Sequence, residues 1–236
     1  MARPESSLDH RLRTCIGTAD AAGVGALLRR GADPSLPNTA GVTPLYLAVR
    51  HGAADVVRVL LAAGADPEIG KHGCLTTPLQ RAVLGGQLEI AGLLLAAGAD
   101  PNIKSLYRAR PLYLAAIGGH TELLRALLTA GADLRVADDA NWTPLHAAAG
   151  RGLDDVVRVL LGAGADPNVN HEKHGTPAHV AALAGYDTTL RILFDGGADP
   201  RARRNGALFA WDVVVARHRK LRERSARLAR QAWRAE

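Results

Sequence analysis

The sequence is poor in aromatic residues, which make up 4 %: two Phe, three Trp and four Tyr. A core built around large rings is excluded. The 47 % of apolar residues must pack as Ala, Leu and Val in thin layers. Cysteine is scarce too. Cys15 and Cys74 stand far apart with no CxxC pair, so a disulfide framework or a zinc ribbon has no support. Two isolated thiols fit a reducing cytoplasm. The only serines are Ser6, Ser7, Ser35, Ser105 and Ser225, and none lies in the GxSxG turn of a serine nucleophile. Gly23-Val24-Gly25 is too short for a phosphate-cradling loop. No stretch approaches the roughly 18 apolar residues of a membrane span, and the richest run, Val56 to Ala63, is broken by Arg58. The opening segment MARPESSLDHRLRTC holds no apolar run of the signal-peptide kind. The expectation is a cytoplasmic protein with no membrane partner, no cofactor and no metal.

Charge is present but unevenly placed. The net charge is +6, from 29 Lys and Arg against 23 Asp and Glu. Residues 217–236 hold eight Lys or Arg and two acids, which leaves 21 of each in residues 1–216. The whole excess therefore sits at the C-terminal end.

What dominates the chain is a repeat. Gly-Ala-Asp recurs at Gly31, Gly64, Gly98, Gly131, Gly164 and Gly197, with gaps of 33, 34, 33, 33 and 33. Proline recurs at Pro44, Pro78, Pro111, Pro144 and Pro177, always 20 residues before the next Gly-Ala-Asp. The one extra residue thus falls in the loop between Gly64 and Pro78. In Thr43-Pro44, Thr77-Pro78, Thr143-Pro144 and Thr176-Pro177, threonine suits a helix N-cap. Proline follows where its missing N–H costs nothing. The pattern predicts a first helix, as over Pro144 to Arg151, and a second over Asp154 to Gly162. Gly164 then supplies the left-handed stop. Helices this short fall below the ~12–15 residues needed for marginal stability alone. Each must bury its face on a neighbouring repeat, which makes a solenoid.

The stretch Thr143-Pro144-Leu145-His146-Ala147-Ala148 through Gly164-Ala165-Asp166-Pro167-Asn168 closely resembles an ankyrin repeat. The resemblance covers roughly residues 7–217. It implies an all-α solenoid of stacked helix pairs with projecting β-hairpin-like loops. Residues 1–38 are expected to form a polar N-terminal cap, with Arg11-Leu12-Arg13 in place of Thr-Pro-Leu-His. Residues 39–204 form five full repeats and residues 205–217 start a C-terminal cap repeat, where Phe209-Ala210-Trp211-Asp212 takes the motif's place. Residues 218–236 are expected to form a basic capping helix. The resemblance also implies that His146 and His179 bond between neighbouring repeats. Tyr46, Gln80 and Tyr113 stand at the same place elsewhere, where a hydroxyl or amide can partly replace the imidazole.

Ankyrin proteins usually grip a partner with loop tips and the exposed side of the first helices, on a concave face. By position this implies contacts from Leu84, from Tyr107, Arg108 and Ile117, from Asp139, Trp142 and Arg151, and from Lys173 and His174. The aromatics Tyr107 and Trp142 could form one patch with Ile117, flanked by Arg108 and Arg151. The alternative is that Trp142 merely packs along its hairpin. His171, Glu172 and His174 offer ligand chemistry, yet two histidines three apart in a loop lack fixed geometry, so a solvated loop is expected there. At the C-terminal end Leu221, Ser225, Leu228 and Ala232 make a narrow stripe, with Arg219, Arg222, Arg224 and Arg227 on the other faces. With Arg201, Arg203 and Arg204 these arginines form a basic patch, either a soluble cap or an arm for nucleic acid or an acidic protein. The leading expectation is a non-catalytic scaffold or adaptor that binds another protein. An unusual enzyme remains as an alternative; it requires a deep groove in which acid–base groups such as Asp138 or Asp139 meet His171 or His174.

Overall fold

A computed structural model describes residues 7–70, 76–104, 109–135, 142–204 and 208–209. They form twelve helices and one two-stranded hairpin. The chain divides into two compact units, Met1–Asp133 and Leu134–Glu236.

The first unit holds α1 (Ser7–Gly17), α2 (Ala21–Arg29), α3 (Pro44–His51), α4 (Ala54–Ala62), α5 (Pro78–Leu84), α6 (Leu88–Ala96), α7 (Pro111–Gly118) and α8 (Thr121–Thr129). Each odd helix packs on the even helix that follows it. The odd helices also pack on one another in a row, as do the even ones. The second unit repeats the scheme with α9 (Pro144–Ala149), α10 (Asp154–Gly162), α11 (Pro177–Ala184) and α12 (Asp187–Asp195). Its last described elements are β1 (Arg203–Arg204) and β2 (Leu208–Phe209), which pair antiparallel. The interior between the rows is almost entirely aliphatic. Leu45, Leu60, Leu79, Leu94, Leu112 and Leu124 in the first unit, and Leu145, Leu160 and Leu193 in the second, are at most 2 % exposed. Burying each such side chain stabilises the stack by about 1.5–3 kcal/mol.

The two kinds of helix start differently. The first helix of a repeat starts on threonine: Thr43, Thr77 and Thr143 each accept the N–H three residues on, at 3.2, 3.3 and 3.3 Å. Arg110, which precedes Pro111, makes no such bond, because a guanidinium has no lone pair to offer. The second helices α4, α6, α8, α10 and α12 have no side-chain cap at all, and each carries an acid in its first turn instead. Asp55, Glu89, Glu122, Asp154, Asp155 and Asp187 there face the positive end of the helix dipole. Every second helix ends where its Gly-Ala-Asp glycine turns left-handed, with φ between +84° at Gly64 and +93° at Gly197.

One boundary differs from the sequence pattern. Helix α9 stops at Ala149, two residues short of Arg151. The Arg151 and Gly152 amides bond to carbonyls three residues back, Ala148 and Ala149, so the last turn tightens and the helix ends early. Gly152 then turns left-handed at φ +67°.

Polar ties link successive repeats. Arg13 Nη2 donates to the Leu36 carbonyl at 2.9 Å, Thr43 Oγ1 to Ile69 at 3.0 Å, and Gln80 Nε2 to Ile103 at 3.0 Å. All three acceptors lie five residues past a Gly-Ala-Asp glycine. The expected cap is thus more than a polar edge: Arg13 reaches into the next repeat, and burial lowers its pKa. A second ladder runs through the loops after the second helices. Asn102 donates to the Gly131 carbonyl and accepts the Asp133 N–H, at 3.1 and 2.8 Å. Asn168 does the same to Gly197 and Asp199, at 3.1 and 2.7 Å. Glu68, in the equivalent place, accepts the Asp100 N–H at 2.6 Å, and its other carboxylate oxygen is buried without a hydrogen bond.

Candidate protein-interaction face

The histidine of the repeat motif is structural. His146 is fully buried. Its Nδ1 accepts the Thr143 N–H at 3.2 Å, which places the proton on Nε2, and Nε2 donates to the Gly175 carbonyl at 3.0 Å. His179 repeats the first half of this pattern with Thr176, at 3.3 Å. Gln80 does the same work as an amide: Oε1 accepts the Thr77 N–H, while Nε2 donates to Ile103 and also to Ala109, at 3.3 Å. None of these groups is left over for chemistry.

The loop His171–Gly175 departs from the solvated loop expected. His171 is only 6 % exposed. Its backbone pairs with Gly175 through two bonds of 3.0 Å, and its Nδ1 accepts the N–H groups of Lys173 and His174 at 3.1 and 3.2 Å. The imidazole therefore closes its own hairpin, which a polar loop sequence does not reveal. Glu172, Lys173 and His174 are exposed. Trp142, half-buried, stacks on His146 at 5.2 Å and meets the edges of His171 and His174 at 5.1 and 5.4 Å. These contacts give it a packing role along the hairpin.

The remaining site residues read from the sequence are placed as follows. Leu84, at the end of α5, is 51 % exposed, and Ile117 in α7 is half-buried. Both lie six residues past the repeat proline, and Leu183 in α11 holds the same place at 48 % exposure. Arg151 is exposed beyond α9. Arg201 and Arg203 are exposed, and Arg203 and Arg204 form β1. Tyr107, Arg108, Asp138, Asp139, Arg219, Arg222, Arg224 and Arg227 lie outside the described residues, as does the proposed capping helix. Of the patch of Tyr107, Trp142 and Ile117, the described residues hold Ile117 in the first unit and Trp142 in the second.

Sequence reasoning missed how charge is divided between the helix rows. Take the described residues of the hairpin tips and first helices in the first unit: 36–52, 69–70, 76–85, 103–104 and 109–119. They carry Arg50, Arg81, Lys104 and Arg110 and no Asp or Glu. The second helices and their following loops, 53–68, 86–102 and 120–133, carry seven acids and two arginines. Those two arginines are held by their own row: Arg58 by Asp55 and Glu89 at 2.6 and 3.0 Å, and Arg125 by Glu122 at 3.7 Å. No ion pair engages Arg50, Arg81, Lys104 or Arg110 among the described residues. The signal was present in the sequence and needed only a count by helix row.

In the second unit a cleft of 470 Å³ opens between Leu145, Leu160, Val169, Arg135 and Asp166. The Asp166 carboxylate already accepts the Asn168 N–H at 2.8 Å. The cleft is lined by no histidine or cysteine, so it brings together no acid–base pair from among its described walls.

Stacked helix pairs in two rows, started by Thr-Pro and ended by Gly-Ala-Asp, define an all-α repeat solenoid. The profile of ankyrin repeats, in three copies, matches residues 15–105 and 112–204, and the chain belongs to the ankyrin-repeat family. The ankyrin repeat domain of Bcl-3 is similar in structure, with a TM-score of 0.79 and 25 % identity over 89 % of this chain and 95 % of that one. The human ASB11 ankyrin repeat domain gives 0.74 and 26 %, over 89 % and 91 %. An ankyrin repeat domain from Acinetobacter baumannii AYE gives 0.74 and 29 %, over 80 % and 98 %. No curated protein matches in sequence. Ankyrin repeat domains are generally protein-interaction modules.

Proposed function

We propose that this protein is a non-catalytic adaptor that captures a partner protein on the face that first helices and hairpin tips make within each unit. The carrying observation is the recurrence of large apolar side chains at one exposed repeat position. Leu84 and Leu183 are 51 % and 48 % exposed there, and Ile117 is half-buried. The inner side of the same helices is already buried, by Leu79 in α5, Leu112 in α7 and Ala178, Val180 and Ala181 in α11, so the fold has no packing use for these three. Exposed apolar groups that recur at one place support a binding surface, where scattered ones do not. The side-chain hydrogen bonds of Gln80 and His146 are taken up by the scaffold, which supports binding over catalysis. The scarcity of cysteine supports work in the cytoplasm.

A photo-crosslinking residue placed at position 84 or 183, in cells of the source organism, is expected to trap a discrete partner protein. The same residue at Arg58 or Arg158, on the second helices, is expected to trap none. Equal labelling from both helix rows would overturn the assignment of the face.

A further inference from the structure

We infer that the first-helix face of the first unit receives an acidic polypeptide segment bearing spaced apolar side chains. The inference rests on the reading of that face as the partner surface and adds the partner's chemistry. Its basis is the division of charge already described. Four cations stand on the tips and first helices with no carboxylate among them. The acids sit on the other row, two of them binding Arg58 and a third binding Arg125. Helix α1 continues the same row and adds an exposed Arg11; its one acid, Asp9, is 2 % exposed and accepts the Asp33 N–H at 3.1 Å. A field of one sign across a surface recruits the opposite sign and repels its own.

The second unit is the internal control. Its corresponding stretches, 136–152 and 169–185, contain Arg151 and Lys173 against Asp138, Asp139 and Glu172 in sequence, and so sum to −1. The cationic character therefore belongs to one part of the repeat array and is not a property of the repeat itself.

Apolar residues separate a polypeptide from other polyanions. Leu84 and Ile117 occupy the same place in consecutive repeats, on helices α5 and α7 that pack together. Packed helices lie about 8–10 Å apart. An extended polyproline-II segment repeats every three residues at ~3.1 Å each, which returns a side chain to the same side after roughly 9 Å. An acidic segment with an apolar residue at every third position matches this spacing, with carboxylates left over for Arg50, Arg81, Lys104 and Arg110. A phosphate backbone makes no use of Leu84.

The test uses the full chain and a short fluorescein-labelled peptide of repeated Glu-Glu-Leu, read by anisotropy at low and physiological ionic strength. Comparison probes are repeated Glu-Glu-Ser, repeated Lys-Lys-Leu and a single-stranded DNA of similar charge. Glu-Glu-Leu is expected to bind tightest, with affinity falling as salt rises. The double variant Arg50→Glu/Arg81→Glu is expected to weaken it on the order of tenfold or more. Leu84→Ser is expected to reduce binding of Glu-Glu-Leu towards that of Glu-Glu-Ser. Arg125→Glu, on the other row, is expected to leave it unchanged. The basic segment 217–236 is present in every variant, so its own attraction for acidic probes cancels. Far-UV circular dichroism checks that each variant is folded.

Equal binding of Glu-Glu-Leu and Lys-Lys-Leu would overturn the proposal, as would indifference to Arg50→Glu/Arg81→Glu or to Leu84→Ser. DNA bound more tightly than Glu-Glu-Leu, weakened by the arginine changes and not by Leu84→Ser, would reassign the face to nucleic acid. If crosslinking at position 84 traps a partner while Glu-Glu-Leu fails, the partner face stands and the acidic segment falls.

Discussion

Replacing Gln80 by leucine removes one side chain and strands three polar groups. Gln80 is fully buried, and its amide serves the Thr77 N–H at 3.2 Å, the Ile103 carbonyl at 3.0 Å and the Ala109 carbonyl at 3.3 Å. A buried polar group left without its partner costs about 1–3 kcal/mol. Thr77 is buried and has no route to water, whereas Ile103 and Ala109 are half-buried and regain part of their loss by solvation. Leucine returns some burial of its own. The net expectation for Gln80→Leu is a loss of about 2–3 kcal/mol in unfolding free energy. Gln80→His keeps an acceptor for Thr77 and a donor for one carbonyl, as His146 does, and should stay within about 1 kcal/mol of the parent. Urea unfolding followed by circular dichroism gives the global figure. Amide exchange adds the location: α7 begins directly after the Ala109-Arg110 segment, so its amides should exchange faster in Gln80→Leu while those of α1 and α2 change least. A loss below about 0.5 kcal/mol, the range of an ordinary surface change, would refute the view that this amide couples neighbouring repeats. A full loss with unchanged exchange in α7 would refute its location.

Three further substitutions follow from the same geometry. Glu68→Asn supplies the N–H that Asn102 and Asn168 donate to the next glycine carbonyl and removes a buried unbonded carboxylate oxygen; a gain of about 0.5–1.5 kcal/mol in urea unfolding is expected. Arg110→Thr gives α7 the cap it lacks and should add about 0.5–2 kcal/mol, while weakening capture of the Glu-Glu-Leu probe. Gly152→Ala places a methyl 2.4 Å from the Tyr186 ring at φ +67°, so it should cost more than Gly164→Ala. That position is also left-handed but has open space around it, and the strain alone is about 1–2 kcal/mol; melting the two variants side by side tests the order.

The sequence announces this fold because each repeat carries its own punctuation. Thr-Pro marks every first-helix start after α1 except at Arg110, and Gly-Ala-Asp marks every second-helix end, so α10 falls where the pattern puts it. The end of α9 was less legible, because Gly150 and Gly152 flank Arg151 and either glycine could have ended the helix. The His146 tie could be expected from its motif; the second carbonyl reached by Gln80 could not, since the acceptor lies 29 residues away in an irregular loop. His171 was hidden for a different reason. A histidine among Glu, Lys and His suggests solvent, yet the tight turn brings two backbone N–H groups onto its own ring. Leu84 and Ile117 were legible as one repeat position because they stand at a fixed offset from proline, whereas Trp142 needed coordinates to show the imidazoles around it.

The separation of charge has two sources, and only one of them bears on function. From α4 onward the second helices lack side-chain caps and carry acids in their first turns, which meet the helix dipole. First helices are started by threonine and proline and have no such need. Helix starting alone therefore places carboxylates in the first turns of second helices in both units and puts none in the first turns of the Thr-Pro helices. It does not explain cations. Arg50, Arg81 and Lys104 cap no helix N-terminus, and Arg110 stands in place of the threonine that would cap α7. Its Nε is buried without a hydrogen bond. A residue that forgoes a helix cap and leaves a buried donor unpaired works against local stability. A broken local rule of that kind in an otherwise regular array is where function is expected to sit, and it falls at the start of α7, the helix that carries Ile117, in the same helix row as Leu84.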